Sequence, residues 1–309
     1  MLEVKNLKKR YGEFWAVQSA TFSLNPGDIM GFIGSNGAGK TTTIKMLATL
    51  LEPTAGEAYL DGLSLNSDDL AVRRKIGYMP DFFGLYENIR VWEYLDMFAT
   101  MYAVPKTERP GVIDQVLDLV DLRFKKDAMA QSLSRGMQQR LCLARCLVHD
   151  PLLLLLDEPA SGLDPRARAE LKGLITELGK MGKIVIVSSH ILPELADFCS
   201  VVGIIERGEM MAFGPVEQVV KSVNQHKMLE VKLLDRAGDA GMWLHGKEGV
   251  ARTVVDGAHR VRIEFEGDHD AQYRLLQGLV QANFGVIEFR EESADLEDLF
   301  MKVTTGALN

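Results

Sequence analysis

A glycine-rich stretch, residues 34–42, contains residue types that suit phosphate binding. It matches the pattern G-x-x-x-x-G-K-[ST], follows an apolar run, Ile29–Ile33, and precedes a helix-like run. Glycines let backbone N–H groups point at a phosphate, and a helix N-terminus adds the positive end of its dipole. The residues expected to surround the phosphates are Gly34, Ser35, Asn36, Gly37, Ala38, Gly39, Lys40, Thr41 and Thr42. The stretch predicts a nucleoside triphosphate site in which Lys40 contacts the β- and γ-phosphates and the Thr41 hydroxyl ligates Mg²⁺.

Two further apolar runs end in polar side chains. Residues 152–156 lead into Asp157 and Glu158, and residues 183–189 lead into His190. Continuous apolar runs suit strands buried on both faces of a parallel sheet, whose carboxyl ends line a ligand crevice. The plain alternative is that two strands merely end in polar residues, but both ends would face the phosphate loop. We expect Asp157 to hold Mg²⁺, directly or through water. Glu158 would orient or polarise the attacking water, and His190 would contact the γ-phosphate.

The composition excludes several classes of protein. With 309 residues, 47% hydrophobic and 25% charged, the chain has the profile of a globular protein with one large and one smaller domain. The net charge of −8 argues against nucleic acid as the main partner, which normally needs a basic face. Cys142, Cys146 and Cys199 match no metal or disulfide spacing, so we expect reduced thiols. We expect neither a signal peptide nor a transmembrane segment, because no apolar run approaches the roughly 20 residues required.

The sequence pattern changes near residue 223, and no phosphate-binding feature follows. A helix is expected at 271–282, and an amphipathic segment at 294–303 closes the chain. The segments that alternate like strands are 229–234, 252–255, 261–265 and 285–289. This order is typical of a small α+β module of the ferredoxin-like kind. We therefore predict an α/β nucleotide-binding domain over residues 1–222 and a small C-terminal α+β domain over residues 223–309.

The whole set of motifs resembles the nucleotide-binding subunit of an ABC transporter over about the first 220 residues. Residues 34–42 correspond to the Walker A motif, and residues 152–158 resemble the Walker B strand with its catalytic glutamate. Residues 133–140, with the sequence LSRGMQQR, resemble the ABC signature, which separates this family from other P-loop ATPases. Residues 161–164 resemble the D-loop, and His190 stands where the family has its switch histidine.

The resemblance implies a fold and a mode of assembly. The fold would be that of a P-loop NTPase of the ABC ATPase type, with a mostly parallel core sheet, an antiparallel β subdomain and a helical subdomain at about residues 85–150. In this family two subunits face each other head to tail, so each ATP lies between one phosphate loop and the other subunit's signature helix. Ser134, Gly136 and Asp164 would then complete the partner's ATP site. Tyr11 would stack on adenine, although its plain alternative is packing at a strand end.

Two departures from the family pattern stand out. The signature has Arg135 and Met137 where the family has glycine and glutamine, but it keeps Ser134 and Gly136 for phosphate contacts. Asp81 replaces the usual glutamine after a strand, and aspartate only accepts hydrogen bonds when ionised. We expect Asp81 to approach Mg²⁺ through water. The alternative is that Asp81 only caps the segment that follows it.

The end of the chain also resembles a known group of subunits. Residues 294–300 are similar to the end of a small extra domain in ATPase subunits of drug, antibiotic-resistance and polysaccharide exporters, whose separate permease is of the ABC-2 kind. The aromatic segment 82–86 would lie near the permease, or else pack in the core. The resemblance implies an ATP- and Mg²⁺-dependent ATPase with Glu158, His190 and Lys40 as catalytic residues. It would act at the cytoplasmic face of the cell membrane, with a permease and a second ATPase subunit, most simply as a homodimer.

Two other classes of function remain as alternatives. A soluble ABC ATPase of DNA repair would carry a long coiled coil between the Walker motifs, and one of translation would carry two ATPase domains in one chain. Neither feature is present in the sequence. A scaffold that binds ATP without hydrolysing it is opposed by the presence of Glu158 and His190.

Overall fold

The structure is a computed structural model that describes residues 1–66, 70–82, 84–86, 88–190, 195, 198–223 and 227–292. The chain divides into two compact units, Met1–Val216 and Glu217–Asn309. The division at residue 222 into an ATPase domain and an accessory domain stays a prediction.

A ten-stranded mixed sheet forms the centre of the first unit. Its strands in chain order are β1 (Leu2–Tyr11), β2 (Phe14–Leu24), β3 (Ile29–Ile33), β4 (Ala55–Leu60), β5 (Leu63–Ser64), β6 (Ile76–Met79), β7 (Leu153–Leu156), β8 (Ile184–Ser189), β9 (Val201–Glu206) and β10 (Glu209–Pro215). Their order across the sheet is β5-β4-β1-β2-β10-β9-β3-β8-β7-β6. Strands β9, β3, β8, β7 and β6 pair in parallel, whereas β2, β1, β4 and β5 pair antiparallel. The predicted parallel core and antiparallel β region are therefore confirmed.

The parallel strands explain where the polar residues lie. Every residue of β3, β7 and β8 is buried, which accounts for their unbroken apolar sequences. The register pairs Met79 with Leu156, Leu156 with Val187, and Ile33 with Ser189. Since these strands end at one edge of the sheet, the residues that follow them are brought together there.

Helices surround the sheet of the first unit. Their bounds are α1 (Lys40–Leu47), α2 (Leu70–Arg73), α3 (Val91–Met101), α4 (Arg109–Leu119), α5 (Arg135–Leu147) and α6 (Pro165–Lys180). Helices α3, α4 and α5 lie between β6 and β7 in the chain and pack on one another, as expected of the helical subdomain. Ser134 caps α5 by accepting a bond from the Met137 N–H at 3.4 Å. Asp164 caps α6 by accepting one from the Ala167 N–H at 2.9 Å.

The second unit contains a four-stranded antiparallel sheet in the order β12-β13-β11-β14. Its elements in chain order are α7 (Val216–Val223, which begins in the first unit), β11 (Lys227–Leu233), α8 (Ala237–Leu244), β12 (Val250–Asp256), β13 (Arg260–Phe265), α9 (His269–Gln281) and β14 (Val286–Glu292). From β11 onward this is the βαββαβ order of the ferredoxin-like class. Apolar residues of β11, β13, α8 and α9 form its core. The predicted segments 294–300 and 294–303 lie outside the described residues.

The cysteines and the helices can be compared with the expectations of reduced thiols and of no transmembrane segment. Cys142 and Cys146 are buried, Cys199 is partly buried, and all three are free thiols. Across the part of the chain that the structure describes, none of the helices combines the length and hydrophobicity that a membrane crossing requires.

Candidate nucleotide site

The predicted phosphate loop connects β3 to α1, and its glycines are required by close backbone contacts. A Cβ atom on Gly34 would lie 2.3 Å from the Ile205 carbonyl oxygen, and one on Gly39 would lie 2.6 Å from the Ala16 carbonyl oxygen. Gly39 also has φ of 110°, in the left-handed region that favours glycine, and it precedes the first residue of α1. The loop is thus held against β2 and β9 in a conformation that other residues would disrupt.

Lys40 lies inside the loop rather than in solvent. Its side chain is 6% exposed, and its Nζ atom donates hydrogen bonds to the carbonyl oxygens of Gly34 at 2.7 Å and Ser35 at 3.1 Å. The same atom lies 3.8 Å from Oε1 of Glu158. Burial lowers the pKa of the ammonium, and nearby carboxylates, Glu158 foremost, oppose this shift. A cation is therefore fixed where the loop would receive phosphate.

The sequence prediction missed a residue that braces the loop, Glu206 at the end of β9. Ser35 Oγ donates to the Glu206 carboxylate, at 2.8 Å from Oε2 and 3.0 Å from Oε1. The N–H of Gly208 donates to the Ala38 carbonyl oxygen at 2.9 Å in the same region. No motif marks Glu206, and only the pairing of β9 with β3 brings it to the loop.

The two carboxylates after β7 have different surroundings. Asp157 is 1% exposed, and its Oδ1 accepts a hydrogen bond from Ser188 Oγ at 2.6 Å. The same Ser188 hydroxyl oxygen accepts the backbone N–H of Glu158 at 2.9 Å. Glu158 has φ of 49°, a left-handed conformation that costs a residue with a side chain of this size on the order of 1 kcal/mol. Ser188, which the sequence analysis did not select, therefore positions both carboxylates.

Glu158 and His190 form the predicted pair at the ends of β7 and β8. The Nδ1 atom of His190 lies 3.0 Å from Oε2 of Glu158, and the His190 side chain is 45% exposed. Burial raises the pKa of the Glu158 carboxyl, although His190 and Lys40 act in the opposite direction. Lys40, Glu158 and His190 thus make one continuous polar cluster.

A cleft of about 500 Å³ opens over this cluster. Its lining residues are Tyr11, Phe14, Ala16, Asn36, Gly37, Gly39, Lys40, Thr41, Thr42, Asp81, Glu158, Ser161 and His190. The structure thus brings Tyr11, Asp81, Glu158 and His190 to the exposed part of the phosphate loop. The remaining predicted loop residues, Gly34, Ser35 and Ala38, are not part of the lining, and neither is the buried Asp157.

The residues near the cleft fit a magnesium ion held jointly with a nucleotide. The described ranges contain no group of three His, Cys, Asp or Glu side chains that would hold a metal without further ligands. Thr41 and Asp81 line the cleft, and Asp157 lies beside Glu158. These are oxygen donors, and Mg²⁺ is typically bound by one or two carboxylates together with substrate phosphates and water.

A second cleft, of about 380 Å³, contains the predicted residues Ser134, Gly136 and Asp164. It is lined by Asp121, Phe124, Ser134, Arg135, Gly136, Met137, Arg140, Gly162, Leu163, Asp164, Arg166, Ala167 and Glu170. Ser134, Gly136 and Asp164 are therefore together, but they do not line the cleft that contains Lys40. Arg135 contacts the D-loop, because its guanidinium donates to the Ser161 carbonyl oxygen at 3.2 Å.

The fold and the first cleft define an ATPase of the P-loop class, with a phosphate loop, a buried lysine and a carboxylate beside it. Comparison with known proteins narrows this class. The sequence family described as ABC transporter matches residues 17–161. The chain is 34% identical over 313 residues to the bacitracin transport ATP-binding protein of Bacillus licheniformis, covering 99% of this chain and 98% of that protein.

A second relative and a solved structure agree with this assignment. The Nod factor export ATP-binding protein I of Burkholderia orbicola is 36% identical over 307 residues, covering 98% of this chain and 96% of that protein. A dimeric ATP-binding cassette solved in a post-hydrolysis state with ADP and Pi superposes with a TM-score of 0.63 and 26% identity, covering 70% of this chain and 99% of that chain. The chain belongs to the ABC transporter family, as an ATP-binding subunit that hydrolyses ATP.

Proposed function

We propose that this chain is the motor subunit of an exporter, in which two copies close around ATP and drive a separately encoded permease from the cytoplasmic face of the membrane. The observation that carries the proposal is the separation of the predicted residues into two clefts, one with Lys40 and one with Ser134. Similarity over nearly the full chain to proteins named for bacitracin transport and Nod factor export supports export. That similarity also disfavours a role in repair or translation. Residues 223–309 would form an accessory domain.

The first cleft would carry the chemistry. Hydrolysis joins water to the γ-phosphorus and breaks its bond to the oxygen of the departing ADP, so it depends on positioning and charge neutralisation. Lys40 would neutralise the phosphates, because its ammonium is already fixed inside the loop. Glu158, ionised, would accept a hydrogen bond from the attacking water and orient it. His190, 3.0 Å from Glu158, would contact the γ-phosphate and link its presence to the carboxylate.

Magnesium would complete the charge balance in this cleft. The Thr41 hydroxyl and the Asp157 carboxylate would hold Mg²⁺, the latter directly or through water, and Asp81 would approach it through water. Bound there, the ion would stabilise negative charge on the transferring phosphate. Ser188 keeps Asp157 in place through its 2.6 Å hydrogen bond.

The second cleft would serve the other copy. Ser134 begins α5, so its hydroxyl and the first N–H groups of the helix, including that of Gly136, would present donors to a γ-phosphate. Asp164 at the start of α6 would lie at the same interface. One chain carries both halves of the site, which is sufficient for a homodimer with ATP between the copies.

Exposed aromatic residues support a separate partner. Phe82 is 88% exposed and Tyr86 is 56% exposed, so these two members of the predicted aromatic segment are not packed in the core. We propose that these two exposed rings contact the permease.

The direct test is the solution mass of Glu158→Gln protein with and without Mg-ATP. Without hydrolysis the bound ATP persists, so we expect a monomer that becomes a dimer only with Mg-ATP. Adding Ser134→Ala to the same variant should weaken that dimer while ATP still binds. A Glu158→Gln protein that hydrolyses ATP at the wild-type rate would show that the catalytic assignment is wrong. A protein that stays monomeric with ATP bound would contradict the homodimer.

A further inference from the structure

Two aromatic side chains stand next to each other at the edge of the nucleotide cleft. Tyr11 is the last residue of β1 and Phe14 the first of β2, and the two are direct partners in the antiparallel register. The turn between them contains Gly12, whose φ of 57° is in the left-handed region. Direct partners project from the same face of a strand pair, with Cβ atoms about 4.5–5.5 Å apart. Both side chains line the cleft that contains the phosphate loop.

Both rings are exposed to solvent, although they lie at the edge of a cleft. Tyr11 is 49% exposed and Phe14 is 64% exposed. Phenylalanine has no polar atom that gains from this exposure, so the protein itself gives Phe14 no packing reason to project into the cleft. A flat, apolar ligand surface would cover both rings at once.

A third residue, Ala16, lies between this aromatic pair and the phosphate loop. It lines the same cleft and follows Phe14 by two positions on β2. Alternation along a strand places Phe14 and Ala16 on the same face. The Ala16 carbonyl oxygen lies so close to Gly39 that a Cβ there would approach it to 2.6 Å. Tyr11, Phe14 and Ala16 therefore form a continuous wall that runs from the strand turn to the loop.

We propose that Phe14 is a second aromatic contact for the nucleobase, so that Tyr11 and Phe14 together form an aromatic base subsite. The proposal rests on the proposed placement of the nucleotide phosphates at Lys40. The base is the part of the nucleotide that offers an extended flat π-face, and stacking of bases on aromatic side chains is a favourable and sequence-tolerant contact. The charged triphosphate would lie at the other end of this wall, next to the phosphate loop and the Lys40 ammonium.

The neighbouring residue provides a matched control. Trp15 is also aromatic and part-exposed, but it is paired with Arg10 and does not line the cleft. The Arg10 guanidinium lies 5.5 Å from the centre of its ring. Trp15→Ala therefore removes a still larger aromatic ring from the same strand without touching the proposed base subsite.

The experiment compares a ligand with a base and one without, using ADP and pyrophosphate in titration calorimetry on the full chain. Neither probe is hydrolysed at the γ-position, so turnover does not affect the measurement. We expect Phe14→Ala to weaken ADP binding by about tenfold and to leave pyrophosphate binding within about twofold of wild type. Phe14→Tyr should retain ADP affinity, and Trp15→Ala should change neither ligand. Circular dichroism would confirm that the variants are folded.

Two results would overturn the proposal. The first is an ADP affinity of Phe14→Ala equal to that of wild type. The second is an equal loss for ADP and pyrophosphate, which would place the effect at the phosphates rather than the base. Failure of the proposed function would look different, because the wild-type protein itself would then bind neither ligand, and Lys40→Ala would change nothing.

Discussion

Replacing Ser188 with alanine tests how the two carboxylates that follow β7, Asp157 and Glu158, are held. The Ser188 side chain is fully buried on β8, where its hydroxyl donates to Asp157 at 2.6 Å and accepts the N–H of Glu158 at 2.9 Å. Alanine removes both hydrogen bonds at once. The buried Asp157 carboxylate loses a donor, and the Glu158 N–H loses its acceptor.

The size of the effect follows from the two lost bonds. A hydrogen bond to a charged group contributes about 1.5–3 kcal/mol, and an orphaned buried N–H costs about 1–3 kcal/mol. Allowing for partial relaxation, we expect the free energy of unfolding to fall by about 2–4 kcal/mol. The apparent Tm of a unit of this size would fall on the order of 10 °C. Because Glu158 is held in a left-handed conformation, we also expect its carboxylate to shift and kcat to fall by about tenfold to a hundredfold.

The assay is steady-state ATP hydrolysis with thermal unfolding measured on the same preparations. Ser200→Ala is the control, because Ser200 Oγ also accepts a backbone N–H, that of Ile29 at 3.1 Å, at the start of β3 and away from the carboxylates. It should lose stability with little change in kcat. A Ser188→Ala protein with wild-type kcat would refute the reasoning. An equal loss of kcat in Ser200→Ala would refute it as well, because the effect would then be general destabilisation.

Two further predictions concern charge in the cleft. Burial raises the pKa of Glu158 in the free protein, and the ionised form must accept a hydrogen bond from the attacking water. We therefore expect kcat/KM to fall as the pH is lowered, with a midpoint above the ordinary glutamate pKa of about 4.3. A pH profile with its acid limb at or below that value, in folded protein, would contradict this. Asp81→Asn keeps the shape but removes the charge of a cleft residue, so the Mg²⁺ concentration for half-maximal hydrolysis should rise several-fold. An unchanged Mg²⁺ titration would contradict the proposal that Asp81 approaches Mg²⁺.

The sequence predicted those parts of the fold that depend on short-range patterns, such as apolar runs, residue spacing and alternation. The apolar runs before Asp157 and His190 correctly indicated strands buried on both faces, because such strands have no solvent side and therefore no alternation. The phosphate loop was predicted from the spacing of its glycines and Lys40 along the chain, whereas the backbone contacts of Gly34 and Gly39 with β9 and β2 are visible only in the structure. Alternation and helix spacing indicated the four strands and the last helix of the second unit, but they did not indicate helix α8 (Ala237–Leu244).

The residues that the sequence did not predict act through pairing between distant segments. Ser188 lies 31 positions from Asp157 and Glu206 lies 171 positions from Ser35, and each contact exists only because neighbouring strands bring their ends together. Phe14 was missed for another reason. As the first residue of a strand it has ordinary β propensity, and only its register with Tyr11 shows which face it occupies.

The structure also shows what Arg135, which departs from the family signature, contacts. Glu158 accepts the Ser161 N–H on its carbonyl oxygen at 3.0 Å, and the Ser161 carbonyl oxygen accepts bonds from Arg135 and Gln139, each at 3.2 Å. A short chain of hydrogen bonds thus connects Glu158, which lines the first cleft, with Arg135, which lines the second. Glycine, usual in the family at residue 135, would supply no side-chain donor there. Arg135 therefore adds a side-chain contact between the D-loop and the first turn of α5 that a glycine could not make.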